Sequence, residues 1–529
     1  MAKQITYQPL SDLGLNGLNT QHNPATLDHS WLTKAENVVL RESGRITFRK
    51  GLKQKVAPNG SDAAIGSMTE HNDQGTNKIF ASYGTSIYTV DFTSPATAFP
   101  SSGDDVKHTV ADTTGDWQFV NFNDRLHCFH TGVIPQRYDG SLGAGSKWTA
   151  HATDPASIAT LFDPSCGMGY YGRIWAGGVA EAKDVVYYSN LLDGDDWTGG
   201  DTGLLDLAKV WGTDEVVALA PFYGKLVIFG KNNIVIYDSP DVVGSLALNE
   251  VIRGIGLVSR DTVQAIGDDL VFLSNTGLRS LGRTTEKDKL PLTDLSVNIK
   301  DRLIRNIGQS TDVKSVYVEN EGIYIMSFVD KNINYVFDFK HITPNEAPRV
   351  TTWTFDNDRE PASMVYTELY SGLLVGQKDG SIAGYEQWYD TDLAGASTYT
   401  DFSYTWSLET VWVDLGETVA ASLLKRLFMV LEGGSGATMG LKWYGDFSPT
   451  SSTTTSIVLN PVTTGSTSLW GASSSLYGAT DAGGSHAGGG HVAATHPAAS
   501  LYKPVFGLKE YRTPLTGSAK NIKIAMDIE

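Results

Sequence analysis

Short apolar runs alternate with polar turns along most of the chain. Residues 225–238 (KLVIFGKNNIVIYD) have the form of two β-strands joined by a Lys-Asn-Asn turn, and residues 269–281 (DLVFLSNTGLRSL) repeat that form. Valine, isoleucine and aromatic residues favour strands, whereas Gly, Asn and Asp favour the turns between strands. The pattern therefore predicts a series of β-hairpins and an all-β fold.

The hairpins recur at nearly even intervals. When they are aligned on the apolar residue that starts the second strand, seven copies are spaced 44 to 53 residues apart, at Ile79, Leu126, Ile174, Leu226, Leu270, Ile323 and Leu373. One blade of a β-propeller holds three or four short strands in about 40 to 50 residues. We therefore expect a β-propeller of about seven blades, with six also possible, over residues 56–400. A series of unrelated hairpins from β-sandwiches is the alternative, and the even spacing argues against it.

Two segments carry a helical pattern. Residues 293–308 (TDLSVNIKDRLIRNIG) predict a helix inserted between strands, because apolar residues recur every fourth position behind a Thr293 or Asp294 cap, at Leu295, Ile299, Leu303 and Ile307. Residues 27–40 (LDHSWLTKAENVVL) predict a shorter helix capped by Asp28 or Ser30. Residues 1–55 are then an N-terminal arm and helix that lead into the propeller.

The pattern changes near residue 400. Longer alternating runs, such as LLKRLFMVLEGG and KNIKIAMDIE, predict a C-terminal β-sandwich over residues 401–529. Within it, residues 447–502 form a long Ser/Thr/Gly-rich segment whose single charged side chain is Asp481. Because that segment keeps several apolar residues, we interpret it as a long loop or extended hairpin that orders against a partner chain.

The charge balance limits the range of functions. The 529 residues include 59 Asp and Glu against 41 Lys and Arg, a net charge of −18, which argues against a surface built to grip phosphates. Cys128 and Cys166 show no CxxC spacing, so we expect reduced, buried thiols. The N-terminus lacks the apolar core of a signal peptide, and no run reaches the length of a membrane span. We expect a soluble protein made in the cytoplasm.

Metal-binding patterns are weak. His486, His491 and His496 recur every five residues, a spacing that suits neither a helix face nor a tight turn, and neither Cys nor Glu accompanies them. The cluster LLDGDDWTGGD resembles a calcium loop at Asp193, Asp195, Asp196 and Asp201, but it lacks the glycine at position six and the closing Glu. We favour ordinary acidic turns and predict no metal ligands.

Catalytic motifs are also missing from the sequence. The stretch SNLLDGDDW resembles a sialidase Asp-box with an insertion, at Ser189, Asp193, Gly194 and Trp197, but it occurs once. The chain has no GxSxG, no GxxxxGK[ST], no HExxH, and no GxGxxG between a strand and a helix. We therefore predict no catalytic residue and no cofactor, and a protein that is not an enzyme.

The N-terminal stretch 15–52 resembles the opening of tail proteins from short-tailed bacteriophages (podoviruses). In that family the motif begins with Gly-Gly or Gly-Leu-Asn and continues with a short helix. A Glu-Asn pair and a strand follow, and the motif ends with G-x-x-x-x-R-x-G. The matching residues are Gly17, Asn19, Glu36, Asn37, Val38, Gly44, Arg49 and Gly51. The hairpin phrases at 170–197, 216–238 and 254–281 look like the family's regular blades, so the resemblance covers roughly residues 15–385 and, more loosely, the C-terminal sandwich.

The resemblance implies a structural role. Members of this family, called nozzle, tail tubular or tail hub stabilisation proteins, form a homohexameric ring below the portal and adaptor. The ring continues the DNA ejection channel and holds tail fibres, spikes or a needle. The partners implied are therefore further copies of the chain, the adaptor ring, other tail proteins, and genomic DNA that passes without sequence-specific contact, but no small-molecule substrate. The location implied is the virion tail, and an acidic chain suits weak contact with a sliding polyanion.

Two other functions remain open from the sequence. A glycan-acting propeller enzyme, such as a depolymerase or a sialidase-like hydrolase, requires two carboxylates about 5 to 10 Å apart at a propeller mouth. A carbohydrate-binding propeller would have nearly identical blades with repeated aromatic pockets, whereas the hairpin phrases here diverge.

Overall fold

The computed structural model describes residues 9–41, 45–58, 63–90, 107–110, 115–282, 294–310, 312–356, 359–386, 391–394, 400–415, 422–431, 438–458 and 509–528. The protein is all-β, with 54% strand and 5% helix. It divides into two compact units. Unit 1 comprises Met1–Lys53, Arg349–Thr354 and Glu386–Glu529, and unit 2 comprises Gln54–Pro348 and Phe355–Tyr385.

The strands before residue 200 are β1 (Gly17–Leu18), β2 (Trp31–Glu36), β3 (Val38–Leu40), β4 (Ile46–Phe48), β5 (Gly51–Val56), β6 (Ile65–Asp73), β7 (Thr76–Tyr83), β8 (Ser86–Val90), β9 (Lys107–Thr109), β10 (Gln118–Phe122), β11 (Arg125–Phe129), β12 (Gln136–Tyr138), β13 (Trp148–Ala150), β14 (Cys166–Tyr170), β15 (Arg173–Val179) and β16 (Ala182–Tyr188).

The middle of the chain adds β17 (Gly203–Asp206), helix α1 (Ala208–Trp211), β18 (Val216–Phe222), β19 (Lys225–Gly230), β20 (Asn233–Asp238), β21 (Ala247–Arg253), β22 (Gln264–Ile266), β23 (Asp269–Ser274), β24 (Gly277–Ser280), helix α2 (Lys300–Ile307), β25 (Val313–Val318), β26 (Ile323–Phe328), β27 (Ile333–Ile342), β28 (Pro348–Trp353), β29 (Pro361–Thr367), β30 (Gly372–Gln377) and β31 (Ile382–Glu386). Short 3-10 turns lie at Val243–Ser245 and Arg260–Thr262.

The C-terminal strands are β32 (Thr391–Ala394), β33 (Thr400–Ser403), β34 (Trp406–Thr410), β35 (Val413–Asp414), β36 (Ser422–Leu431), β37 (Thr438–Gly445), β38 (Thr455–Val458), β39 (Lys509–Ala519) and β40 (Asn521–Ile528).

Unit 2 consists of seven successive groups of antiparallel strands among the residues described. Groups one to four have four strands each, in the orders β6–β7–β8–β9, β10–β11–β12–β13, β14–β15–β16–β17 and β18–β19–β20–β21. Groups five to seven follow as β22–β23–β24, β25–β26–β27 and β29–β30–β31. All seven residues on which the hairpins were aligned lie in the second strand of a group, and all are buried.

The groups pack one against the next, and the last packs against the first. Strand β6 contacts β10, β10 contacts β14, β14 contacts β18, β22 contacts β25, β25 contacts β29, and β29 contacts β6. Between groups four and five, Phe229 of β19 packs on Phe272 of β23 with ring centroids 5.1 Å apart. The seven groups therefore form a closed circuit within unit 2.

Apolar side chains fill the spaces between neighbouring groups. Trp175, Phe229 and Phe272 are fully buried, and each contributes to a cluster shared by successive groups. Cys128 and Cys166 are buried free thiols, as expected from their spacing. Burial raises the pKa of Cys166 to about 12 and also raises that of Cys128, which keeps both thiols protonated and unreactive.

Unit 1 contains a sheet and a separate two-stranded ribbon. The sheet runs β28–β1–β2–β34–β40–β37–β38, and the ribbon pairs β36 with β39. One face of the ribbon, including Leu427 and Met429, packs on a core that holds Met439, Ile522 and Ile524 of the sheet. Much of the Ser/Thr/Gly-rich segment 447–502, with its three histidines, lies outside the described residues, as does Thr293 of the predicted helix cap.

The predicted helix at 293–308 is present but shorter. Helix α2 begins only at Lys300, because the preceding residues form turns in which the Asp294 carboxylate accepts the backbone N–H of Ser296 at 2.9 Å. Leu295, Ile299 and Leu303 are buried, as the periodicity predicted. No helix in the described part of the chain has the length and hydrophobicity needed to cross a membrane.

The predicted helix at 27–40 is wrong. These residues form β2 and β3, separated by Asn37 in the left-handed conformation at φ 56°. Trp31 pairs with Gly17, and Leu32 pairs with Thr410, far away in the sequence. The apolar residues fit a helical period, but strand partners supplied by distant segments decide the conformation.

Phe229→Ala tests the packing between groups four and five. We expect the free energy of unfolding to fall by about 3 to 5 kcal/mol, because the substitution leaves a cavity against Phe272. Urea denaturation of the full chain measures the loss. Leu369→Ala is the matched control, since Leu369 is 49% exposed and its truncation should change stability by about 0.5 kcal/mol or less. Equal losses for the two variants would contradict the packing.

Candidate functional site

Two residues of the N-terminal motif form a buried polar contact in unit 1. Asn37 and Arg49 are 0% and 1% exposed. The backbone N–H of Arg49 donates to the Asn37 carbonyl at 3.0 Å, and the Arg49 Nε donates to the Asn37 side-chain oxygen at 3.2 Å. A buried guanidinium requires such partners, because an unpaired charge in the interior is costly.

The same pair binds two further segments of the chain. The Asn37 side-chain nitrogen donates to the Thr354 hydroxyl and to the Thr405 carbonyl, each at 2.8 Å. The Arg49 Nη2 donates to the Thr354 carbonyl at 3.2 Å. The Tyr404 hydroxyl donates to the Arg49 carbonyl at 2.8 Å, and the guanidinium lies 3.7 Å from the centre of the Tyr404 ring. We call Asn37, Arg49, Thr354 and Tyr404 the Asn37–Arg49 node.

Other motif residues shape the backbone around the node. Gly17 has φ 79°, and a Cβ there would lie 2.7 Å from the Val350 carbonyl oxygen, so a side chain does not fit. The Asn19 side-chain oxygen accepts the backbone N–H groups of Gln21 and His22, which closes a turn.

The remaining motif residues have varied positions. Glu36 accepts a hydrogen bond from the Thr354 hydroxyl at 3.3 Å, Val38 is buried in β3, and Gly51 begins β5. Gly44 lies outside the described residues. The structure thus brings Glu36, Asn37 and Arg49 together in an interior structural node rather than in a surface pocket.

The acidic segment 189–202 does not arrange its carboxylates around one centre. The Asp196 carboxylate accepts the backbone N–H groups of Thr198 and Gly199, each at 2.9 Å, and these bonds lower its pKa. The Asp193 carboxylate accepts the N–H of Asp195, whose own carboxylate is paired with Arg137. Each of these acids is therefore engaged separately, which fits acidic turns and not a calcium loop.

The residues of the Asp-box-like stretch surround a buried tryptophan. The Ser189 hydroxyl accepts the backbone N–H of Ile174 at 3.0 Å, and Gly194 lies against His127 and Ile174. The Trp197 indole N–H donates to the His151 Nδ1 at 3.1 Å. This stretch therefore anchors a loop onto groups two and three.

Sequence reasoning missed a compact set of ligand-type atoms beside this loop. The His127 Nδ1 lies 3.0 Å from the His151 Nε2, and the Asp195 Oδ1 lies 3.7 Å and 3.5 Å from these two atoms. A point equidistant from all three would be about 2 Å from each, which is the length of a zinc–nitrogen bond. All three residues are buried, so the distances alone resemble a metal site.

The hydrogen bonds and charges around these atoms oppose a cation. Because the Trp197 indole can only donate, the neutral His151 carries its proton on Nε2, the atom that would have to bind the metal. Arg137 and Arg125 both pair with Asp195 and place positive charge at the site. Burial, followed by Arg137 and Arg125, lowers the pKa of His127 to about 3. We interpret the set as neutral histidines packed on an ion pair.

A second missed feature is an ion cluster in unit 2, formed by residues at or near the start of the first strand in each of four groups. The Arg260 Nη2 lies 3.0 Å from the Asp116 carboxylate, and the Lys314 Nζ lies 2.5 Å from Asp116 and 2.7 Å from Asp261. The Arg260 Nη1 also donates to the Ser165 carbonyl at 2.5 Å. We call Asp116, Arg260, Asp261 and Lys314 the central ion cluster.

The central ion cluster joins groups that are not neighbours along the circuit. Asp116 precedes group two, Ser165 precedes group three, Arg260 and Asp261 precede group five, and Lys314 lies in the first strand of group six. Side chains from opposite parts of a closed circuit can meet only across its middle. The cluster therefore occupies the middle of unit 2.

The pKa values in the central ion cluster are set by mutual attraction. Burial raises the pKa of Asp261, but Arg260 and Lys314 outweigh burial and hold this pKa below its usual range. Burial lowers the pKa of Lys314, but Asp261 and Asp116 outweigh it and hold this pKa above its usual range. Asp261 and Lys314 are therefore both charged around neutral pH.

Comparison with protein-family models and with curated proteins finds no match to this chain.

Arg49→Lys tests the Asn37–Arg49 node. We expect a loss of about 3 kcal/mol in unfolding free energy, because an ammonium group cannot replace the planar fork of donors or the stacking on Tyr404. Tyr404→Phe keeps the ring and removes the hydroxyl bond to the Arg49 carbonyl, so about 1 kcal/mol should be lost. Chemical denaturation measures both, with the exposed Arg305→Lys as the control. An Arg49→Lys variant with the same unfolding free energy as wild type would contradict the role of the node.

Lys314→Met tests the central ion cluster through its pH dependence. At pH 7 we expect a loss of about 1.5 to 3 kcal/mol, because the exposed Asp116 carboxylate and the half-buried Asp261 carboxylate each lose the Lys314 cation but keep Arg260. The lowered pKa of Asp261 gives stability above its unfolded-state pKa of about 3.9, which is lost as the pH falls. The raised pKa of Lys314 gives stability that is lost only as the pH rises beyond about 10.

The difference between wild type and Lys314→Met should therefore be largest between about pH 5 and pH 10 and should shrink at pH 3. Denaturation midpoints across this range measure it. Lys209→Met is the control, because Lys209 forms only an exposed pair with Asp206 and should contribute about 0.5 kcal/mol or less. A difference that stays constant with pH would contradict the ionic origin.

Proposed function

We propose that the protein is a structural component of a short-tailed bacteriophage tail, a nozzle or hub ring below the portal and adaptor. In this role it forms part of the DNA ejection channel and anchors fibres, spikes or a needle. The observation that carries the proposal is the closed circuit of strand groups in unit 2, combined with the motif residues that meet at the Asn37–Arg49 node. Both features serve rigidity.

The circuit is best explained as a β-propeller of seven blades. Each group of antiparallel strands is then one blade, the first strand of each blade is innermost, and β29 closes the ring against β6. The sheet and ribbon that share a core in unit 1 support a C-terminal β-sandwich. A propeller of this kind gives a stiff body without a single large core.

In this proposal the DNA channel is formed by several copies of the chain rather than by one propeller. The middle of unit 2 is occupied by the central ion cluster, whose Lys314 is buried. A homohexameric ring would instead enclose a channel on its own axis. The net negative charge suits this role, because weak contact with the protein allows the DNA to slide through the channel.

The acidic charge is concentrated in unit 2. Its residues include 42 Asp and Glu against 25 Lys and Arg, a net charge of −17, whereas unit 1 has 17 against 16, a net charge of −1. A strongly acidic body repels DNA and stays soluble at high local concentration.

A glycan-acting enzyme is less well supported. Carboxylates that lie close together among the described residues share cations: Asp116 and Asp261 pair with Arg260 and Lys314, and Asp139 and Asp195 pair with Arg125. An acid held in its ionised form by a salt bridge is poorly suited to protonate a leaving group.

Mass measurement of the purified protein, alone and with the adaptor protein of the same virion, tests the proposal. We expect a ring of about six copies of the 57.1 kDa chain, either alone or on the adaptor, and a position in the tail when virions are labelled with an antibody against it. Virions labelled with an antibody against the capsid protein serve as the control for the specificity of the tail labelling. A persistent monomer under both conditions, or a label away from the tail, would overturn the role.

A further inference from the structure

Groups three and four present a patch of exposed apolar side chains at their turns. Tyr171, Leu191, Leu192, Tyr223 and Val242 are between 45% and 68% exposed. We call these five residues the tyrosine patch. Large apolar side chains that stay in contact with water at one place on a surface mark an interaction site more often than isolated ones do.

The patch is continuous across the two groups. The Leu192 N–H donates to the Gly172 carbonyl at 2.7 Å, so the loop after β16 lies on the β14–β15 turn. A Cβ placed on Gly224 in the β18–β19 turn would lie 3.6 Å from the Tyr171 hydroxyl. Tyr170 and Val243, next to Tyr171 and Val242, pack on one core cluster.

Two tyrosines of the patch have an unfavourable backbone conformation. Tyr171 and Tyr223 have φ 47° and 46°, and each precedes a glycine with positive φ, as in a two-residue hairpin turn of type I′. Asn-Gly is the favoured pair in such turns, and bulky residues are rare there. Each ring packs on the aromatic ring before it, Tyr171 on Tyr170 and Tyr223 on Phe222, and yet Tyr171 stays 45% exposed and Tyr223 68% exposed. A partner that covers them would explain tyrosine at both positions.

Two exposed acidic residues border the tyrosine patch, within a segment of the chain that is rich in acids. Residues 181–250 include 12 Asp and Glu but only 4 Lys, and Asp193 and Asp241 are exposed beside Leu192 and Val242. The matching surface must therefore combine apolar side chains with positive charge.

The outer face of the β36–β39 ribbon has that composition. Its exposed apolar residues are Leu423, Phe428 and Val430, and the exposed basic residues beside them are Lys425, Arg426 and Arg512. The Arg512 guanidinium lies 5.4 Å from the centre of the Phe428 ring. A basic and apolar face is unusual in a chain with a net charge of −18, and it complements the tyrosine patch in both respects.

We propose that the tyrosine patch of one copy of the chain docks on the ribbon face of a second copy. The two surfaces differ, so the contact is head-to-tail, and such contacts form a closed ring when the rotation between copies closes. The inference rests on the proposed function only in requiring more than one copy, and it adds the surfaces through which the copies meet.

Asparagine substitutions separate assembly from folding. In the double variant Tyr171→Asn/Tyr223→Asn we expect assembly to weaken at least tenfold, with a thermal midpoint equal to or above that of wild type, because Asn-Gly suits the turns. Light scattering over a range of concentrations measures assembly, and thermal scans measure folding. Gln74→Asn is the matched control, since exposed Gln74 has φ 52° before Gly75 in group one and lies outside the patch.

Charge reversal tests which surfaces meet. Asp241→Lys and Arg426→Glu should each weaken assembly alone. An equal mixture of the two variants should assemble again, because in an alternating ring every contact is either the wild-type pair or the reversed pair. If both variants lose assembly and the mixture regains it, the proposal is supported. If both variants lose assembly and the mixture does not regain it, the proposal is overturned.

The remaining outcomes separate this inference from the proposed function. If wild type forms a ring and the tyrosine double variant forms it equally well, the tyrosine patch is not the interface and the tail role stands. If wild type stays monomeric with and without the adaptor protein, both proposals are overturned. If Arg426→Glu keeps the ring but loses retention on duplex DNA, the ribbon binds nucleic acid and the docking proposal is overturned.

Discussion

A sheet of three or four strands has two faces, and neither can stay in water if its side chains are apolar. In unit 2 the second strand of each group is buried on both faces, so each group needs a neighbour on both sides. A linear row of such groups would leave its first and last faces uncovered. Contact between β29 and β6 removes that problem, and this requirement for covered faces explains why the chain repeats one hairpin pattern at even spacing.

The closed circuit has consequences in its middle and at its rim. In the middle, first strands converge, and charged residues from distant groups meet as the central ion cluster. At their turns and loops, groups three and four expose aromatic, aliphatic and acidic residues. Rigidity therefore comes from features common to the groups, whereas recognition depends on residues specific to two of them.

The sequence predicted features that depend on local pattern. Leu126, Leu226 and the other aligned residues lie in second strands, because apolar alternation and Gly, Asn or Asp turns act over a few residues. The helix predicted at 27–40 was wrong, because the segment forms strands whose partners lie at residues 17 and 410. The motif identified Asn37 and Arg49. Their hydrogen bonds with Thr354 and Tyr404 could not be predicted, because these partners are more than 300 residues away in the sequence. Asp116, Arg260 and Lys314 each lie within four residues of the start of a first strand, and that shared position was the missed signal.

The two buried thiols make unfolding of the circuit visible to chemistry. Cys128 lies in the second strand of group two and Cys166 begins the first strand of group three, and neither side chain reaches solvent. An alkylating reagent can therefore modify them only after these groups separate. The rate of alkylation in native buffer reports how often the circuit opens at that point. Intact-mass spectra would follow this opening in a single chain and in an assembled ring, through cysteines that the chain already contains.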